Sequence, residues 1–431
     1  MQIIQGAEFY SFWKSVAARD DDEGAAVREI IAAVRKEGDA AVRRFAARFD
    51  KSSPALFEVP LAVAERACDE LRANDAPLAA ALELAAEHIR RFSLKQKEQF
   101  ADFEYEMEAG LFTGQRVIPA ERAAIYVPAG RFPLISTVLM GLIPALCAGV
   151  GEVILASPPL EDGLPDRKIL AAAGIAANGG RLRIFALGGA QAIAALALGT
   201  ETVPKVDVIA GPGNKYVAAA KRILFGEVGI DFVAGPTDVL IIADGSGAQA
   251  ADLVAADMLA QAEHDPDARA RALVPSRELA EQITAALERR LSALSTAATA
   301  RASLDTGGLI VIYQNKEEAI CIANTIAPEH LELQLAGAED WVPALKNYGS
   351  LFIGALSAEV LGDYSAGINH TLPTSGSARF TGGLSVRHFL KTVTTLRCTP
   401  GGGFEKARQA AECIARAEGL AGHAASAAAR G

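Results

Sequence analysis

The strongest constraint on the fold is an alternation that sets in after "PAERAAIYVPAG", where short runs rich in β-branched residues take turns with Ala-rich stretches of helical spacing. One set reads "EVILAS", a helix from Pro165, "RLRIFAL", a helix from Gln191, "KVDVIAG" and a helix from Lys215. A second reads "VLIIAD", a helix ending at Gln261, "RALV", a helix from Glu278, "GLIVIY", a helix from Lys316 and "SLFIG". Strands that alternate with helices pair in parallel, because each helix carries the chain back across a sheet face. The fold class is therefore α/β: two tandem, incomplete Rossmann-like parallel-sheet domains with helical N-terminal and C-terminal extensions. Ahead of the alternation, Glu23 to Phe49 and Leu61 to Phe92 repeat apolar residues at helical spacing among charges, which predicts long amphipathic helices. From His388 onward the chain is Ala-rich and helical without strand signals, and its end, "GHAASAAARG", should fray unless something holds it. The expected units are a helical segment 1–25, a first α/β domain of 26–125 with 237–384, a second of 126–236, and a tail of 385–431.

Composition narrows the partners. The 431 residues are 51% hydrophobic and 22% charged with a net charge of -10, and no basic block offers a nucleic-acid surface, so a small molecule is the expected partner. Cys68, Cys147, Cys321, Cys398 and Cys413 lie far apart without a C-x-x-C pair, which fits a reducing cytoplasm better than a disulfide framework or a thiolate zinc site. "MQIIQGAEFYSFWKS" has no basic start before an apolar core, so no secretory signal is expected. The most apolar stretch, "PLISTVLMGLIPALCAGV", is broken by Gly141, Pro144 and Gly149 and reads as buried core, not as a membrane span.

Chemistry concentrates in a few places. Gly-rich turns follow two strands, in "ALGGAQAIA" and "AGPGNKYVA", where backbone N–H groups at helix starts can cradle phosphate. Neither completes G-x-G-x-x-G, since Tyr216 stands at the third glycine position of the second and the first lacks the spacing. In "QAEHDPDARA", Gln261 and His264 are three apart and share a helix face, so they can converge on one point, a metal ion among the candidates. A polar last turn, with His264 near the negative helix end, explains the same residues. "APEHLEL" places Glu329 beside His330, two distinct bases able to act at successive steps on one substrate. "GDYSAGINHTLPTSGSARF" holds Asp363, Asn369 and His370 in a punctuated loop, where Asx turns are the alternative to function. Glu418 and His423 lie in the tail, where a solvated helix end is the plain alternative. Carboxamide, carboxylate and imidazole together suit zinc or another divalent ion with a place left for substrate.

These motifs, with "YVPAG" and "GIDFVAGPTDVLIIAD" and in this order, resemble those of the histidinol dehydrogenases, zinc- and NAD-dependent enzymes that complete histidine biosynthesis. The resemblance runs over nearly the whole chain. It implies one Zn2+ per subunit on Gln261, His264, Asp363 and His423, Glu329 and His330 as the acid–base pair, and NAD contacts from Tyr126, Gln191 and Asn214. It further implies substrate contacts from Thr237, Gln261, His264, His330, Asp363, Glu418 and His423. The implied reaction takes L-histidinol, an amino alcohol, through L-histidinaldehyde to L-histidine with two NAD. The implied assembly is a homodimer in which the C-terminal tail crosses to the partner, so that Glu418 and His423 complete the neighbouring site.

Departures from the family pattern bear on the substrate. "YVPAGRFPLIS" puts Arg131 and Phe132 beside Tyr126, "AGPTD" replaces "AGPSE", and "GINHTLPT" replaces "GPNHVLPT". Thr237 and Asp238 keep a hydroxyl and a carboxylate, whereas Arg131 adds a cation suited to a sulfonate, which leaves 2,3-dihydroxypropane sulfonate as a second substrate reading. A zinc hydrolase using Glu329 on metal-bound water, and a non-catalytic binding relative, are the readings from other classes.

Overall fold

A computed structural model describes every residue except 17–23, 130–132, 178, 234 and 248. The first six-stranded sheet is wholly parallel, in the order Gln2–Gln5, Leu309–Ile312, Arg269–Val274, Asp238–Ala243, His330–Gln334, Ser350–Ile353. A parallel sheet is covered by helices on both faces, so its strands read as unbroken apolar runs. Asp238–Ala243 is buried at every position. Val239, Ile241 and Ala243 pack against the helices Ala250–Ala262, Arg277–Leu291 and Ala297–Gly307, while Leu240 and Ile242 join Phe9, Ile322 and Ile326 on the other face.

The second six-stranded sheet runs Glu58–Val59, Leu182–Ala186, Glu152–Ser157, Arg122–Tyr126, Val208–Ala210, Gly229–Ile230, parallel except for its first pair. The amphipathic helices of the N-terminal third form as the spacing predicts, at Gly24–Glu37, Asp39–Phe49, Leu61–Asn74 and Ala76–Lys97. They cover this second sheet: Val27, Ile30 and Phe45 meet Ile193 and Leu196 on one face, and Leu82 and Ile89 meet Leu139 and Ile143 on the other. The grouping of 26–125 with 237–384 is therefore corrected. An apolar stripe specifies that a helix packs but not on which sheet, and Arg122–Tyr126 is an inner strand of the second sheet. Two further boundaries change in the same way. Gln2–Gln5, in the segment expected to be only helical, adds a strand to the first sheet, and Leu390–Cys398, in the tail expected to lack strands, pairs over nine residues with Leu111–Pro119. Beyond that strand the helices Gly402–Ala417 and Ala421–Ala428 pack on each other.

One buried ion pair fixes the turn after Val208–Ala210. Lys221 and Asp231, 2% and 8% exposed, form a salt bridge and grip Gly211 from both sides: Gly211 N donates to Asp231 Oδ2 at 2.8 Å, and Lys221 Nζ donates to Gly211 O at 2.9 Å. Gly211 has φ +113°, and a side chain there would collide with Tyr126 O, so glycine is required on both counts. Removing one partner of such a pair leaves an uncompensated buried charge. Lys221→Met is accordingly expected to lower unfolding free energy by about 3–5 kcal/mol, and adding Asp231→Leu to recover part of that loss, as read by urea denaturation.

Candidate active site

The second sheet opens a cleft of about 650 Å³ at the carboxyl ends of its strands, lined by Tyr126, Pro128, Asp50, Gln191, Asn214 and Tyr216 among others. The three residues expected to contact NAD, Tyr126, Gln191 and Asn214, thus share one wall system. The carboxyl-end crevice of a parallel sheet is where open α/β folds hold ligands. The backbone donors at the two Gly-rich turns have internal partners. Asn214 Oδ1 accepts from Tyr216 N and Val217 N at 3.1 Å each, and Gly189 N donates to Tyr126 Oη at 3.0 Å. Asp50 accepts from Gly188 N and from Gln191 Nε2, the latter at 3.4 Å, and burial pushes its carboxyl up to about 6 against both bonds. Asp50 was not singled out in the sequence: "RRFAARFD" reads only as the end of an amphipathic helix. Arg131 and Phe132 lie outside the described residues.

The first sheet carries its polar group at the other edge, where Asp238–Ala243 and His330–Gln334 begin side by side with Val239 opposite His330. Glu329, 6% exposed, accepts from Thr237 Oγ1 at 2.5 Å and from Asp238 N at 3.1 Å, and its own N donates to Asp238 Oδ1 at 3.0 Å. Asp238 is in turn paired with buried Arg271 at 3.1 Å, and that guanidinium lies over the Trp13 ring. Burial pushes Glu329 up to about 7 against the pull of His330 and Thr237. His330 is buried with Nδ1 3.5 Å from Glu359 Oε1 and Nε2 3.6 Å from Asp363 Oδ1. Burial disfavours its charged form, but Glu359, then Glu329 and Asp363, outweigh that and hold it well above its ordinary value. Asp363 stays below the usual carboxylate range because His330, with smaller help from His370 and His264, overcomes its burial.

Of the expected metal ligands, Gln261 and Asp363 approach this group. Gln261 is fully buried, and in the orientation its hydrogen bonds favour, its oxygen accepts from Asp238 N at 2.8 Å and its nitrogen donates to Glu359 Oε1 at 2.6 Å. The helix ends at Ala262, so His264 lies just past it and is exposed instead of sharing the Gln261 face. Glu418 and His423 are exposed on the tail helices and do not enter the cluster. Among the described residues, His330, Glu359 and Asp363 are the acidic and imidazole groups whose ligand atoms lie within 4.8 Å of one another. Buried His330 Nε2 and Glu359 Oε2 have no hydrogen-bond partner, and so many acidic oxygens around unsatisfied atoms suit a divalent cation. Glu359 escaped sequence reading, although Glu359 and Asp363 are four apart and share a helix face in Glu359–Tyr364.

The loop after that helix joins the two halves. His370 bonds Asp363 O through Nδ1 and Thr137 Oγ1 through Nε2, each at 3.1 Å, and Asn369 Nδ2 donates to Met140 O at 2.7 Å. Thr137 and Met140 belong to the helix Ile135–Ala148, which follows the cleft wall at Tyr126, Pro128 and Ala129.

Two helix-covered parallel sheets, one bearing an open cleft and the other a buried acid–base group, define an α/β enzyme. The histidinol dehydrogenase family model matches residues 14–431. The histidinol dehydrogenase of Thermus thermophilus is 48% identical over 399 residues, 92% of each chain, and that of Methylococcus capsulatus is 44% identical over 413 residues, 95% of this chain and 92% of its own. The crystal structure of histidinol dehydrogenase from Elizabethkingia anophelis matches with a TM-score of 0.90 at 34% identity, covering 100% of this chain and 97% of that one. The chain belongs to the histidinol dehydrogenase family and is an oxidoreductase of histidine biosynthesis. Among the described residues no helix is long and apolar enough to cross a membrane.

Asp50 yields a prediction about the cleft. A carboxyl raised to about 6 contributes stability that is present below the ordinary carboxylate value and is lost as pH rises through 6. Asp50→Asn removes that loss and keeps an acceptor for Gly188 N. The melting temperature of the variant is expected to gain on that of the native chain between pH 5 and pH 7.5; a gap independent of pH would contradict the assignment.

Proposed function

We propose that the chain oxidises L-histidinol through L-histidinaldehyde to L-histidine, consuming two NAD in succession. The observation that carries this reading is the buried pair of bases, Glu329 and His330, beside Asp363 and Gln261. When bound, NAD in the cleft of Tyr126, Gln191 and Asn214 supplies the hydride acceptor, and zinc on Gln261, His264 and Asp363 supplies a positive centre that anchors the amino alcohol. His330 accepts the alcohol proton. Its surrounding carboxylates, Glu359 first, stabilise the imidazolium that forms when it does so. Glu329, pushed up to about 7, takes a proton from the water that adds to the aldehyde, because a base near working pH is both available and strong enough. Thr237 and Asp238 hold that carboxylate in place. The enzyme acts in the cytoplasm on a small amino alcohol, with no nucleic acid or membrane involved.

The fourth zinc ligand in this reading is His423 of the partner subunit, accompanied by Glu418 of the partner subunit. Both residues are exposed on this chain's tail, whose surface also exposes Ile414 and Leu396 at 59% and 68%. An apolar surface of that kind favours a homodimer with exchanged tails. The sulfonated diol has no support among the described residues, since Arg131 lies outside them and the relatives above are histidinol dehydrogenases. The cleft at the carboxyl ends of the second sheet also disfavours a hydrolase, which needs no nucleotide.

Steady-state NADH formation from L-histidinol tests the activity directly, and chelation should abolish it until zinc is returned. Glu329→Gln is expected to slow the aldehyde step by at least about 100-fold while changing the alcohol step far less. In the native enzyme the aldehyde step should fall as pH drops through about 7, where Glu329 gains its proton, and level off above. Equal losses in both half-reactions would refute this division. Tail exchange is checked by co-expressing the inactive variants His264→Ala and His423→Ala: shared sites give mixed dimers with one intact site and recovered turnover. Purified mixed dimers without turnover would exclude exchange.

A further inference from the structure

Behind the acid–base group lies a second polar layer that the proposed chemistry does not use. Three elements supply it by simple periodicity. On Ala250–Ala262, Asp257 sits one turn before Gln261; on His330–Gln334, Glu332 and Gln334 share the face of His330, while Leu331, Leu333 and Leu335 point to the opposite core. On Glu359–Tyr364, the first backbone N–H and Asp363 are a turn apart. Glu332 is 1% exposed: its Oε1 accepts from Glu359 N at 2.8 Å, on one helix, and its Oε2 accepts from Gln334 Nε2 at 2.8 Å, on its own strand. The same Gln334 Nε2 donates to Asp257 Oδ2 at 2.6 Å. Burial, then Asp257, pushes Glu332 up to about 8, and a Gln in its place keeps the oxygen that accepts from Glu359 N.

A buried acid with such partners is expensive, and an apolar residue on the strand would pack as Leu331 does. The strand nevertheless carries two polar residues at successive inward positions, each tied to a helix that also bears an expected zinc ligand. We propose that Asp257, Glu332 and Gln334 are positioning residues: a polar strut that sets the spacing of Ala250–Ala262 and Glu359–Tyr364 so that Gln261 and Asp363 close on one ion. The inference rests on the zinc site proposed above. Hydrogen-bonded supports of this kind govern metal affinity through ligand orientation without touching the ion.

The test is zinc affinity of the full-length protein at 25 °C, by competition with a chelator of known affinity, with circular dichroism and melting temperature recorded for each variant. Glu332→Leu removes the acceptor from Glu359 N and is expected to weaken zinc binding at least 30-fold. Glu332→Gln keeps that acceptor and the volume and is expected to stay within threefold of the native chain. A merely structural role lowers the melting temperature without moving zinc affinity in the folded protein, so a folded Glu332→Leu protein that binds zinc within threefold of native overturns the strut. If Glu332→Leu does not fold, Gln334→Leu decides, with about tenfold weaker binding expected and unchanged binding overturning the proposal. Gln261→Ala separates the two readings. If it binds zinc as the native chain does, the proposed zinc site falls and the strut with it; if it loses zinc while the strut variants keep theirs, only the strut falls.

Discussion

Carboxylates withdrawn from water have to be compensated or kept protonated, and much of the first sheet is arranged around that requirement. Asp238, Glu329, Glu332, Glu359 and Asp363 are all buried. The solutions differ: Arg271 pairs with Asp238, a threonine hydroxyl and a backbone amide serve Glu329, an amide side chain and a helix start serve Glu332, and Glu359 and Asp363 share His330. The parallel pairing of Val239 with His330 makes this possible, because it sets Thr237–Asp238 and Glu329–His330 next to each other at the same sheet edge. Without that register the charges lose their partners before any chemistry is considered.

The two sheets use opposite edges. In the second, the cleft lies where the strands end, in keeping with open α/β folds; in the first, the acid–base group lies where the strands begin. The loop of Asn369 and His370 binds the helix Ile135–Ala148 of the second unit while His370 also holds Asp363 O. The polar group is thus tied to the cleft-bearing half by the same residues that help shape it.

Much of this was legible from periodicity. The apolar runs named in the sequence become strands of two parallel sheets, and the amphipathic stretches become helices within a few residues of their expected limits. Sheet assignment was not legible, since Val27 and Ile30 advertise burial without naming the surface that buries them. Site residues divide the same way. Glu329 and His330 stand out as adjacent bases, whereas Glu332 and Gln334 hide in "HLELQL", an alternation usually read as a strand with one solvated face; only the fold shows both faces to be covered. Asp50 gave no local signal, because its role arises from a contact across 138 residues, with Gly188, whereas Glu359 offered only its spacing of four from Asp363.

Asp50 also changes what a ligand designer should offer the cleft. Many nucleotide-binding folds present bare amides at the first turn of a helix, and phosphate mimics exploit them. Here the amide of Gly188 already faces a carboxylate, and a Cβ on that glycine would lie 2.5 Å from Asp50 Oδ1. A negatively charged group delivered to that corner meets repulsion, whereas an amine or amidine meets a ready counter-ion. Inhibitors that place a cation against Asp50 therefore draw on a contact that phosphate-centred scaffolds leave unused.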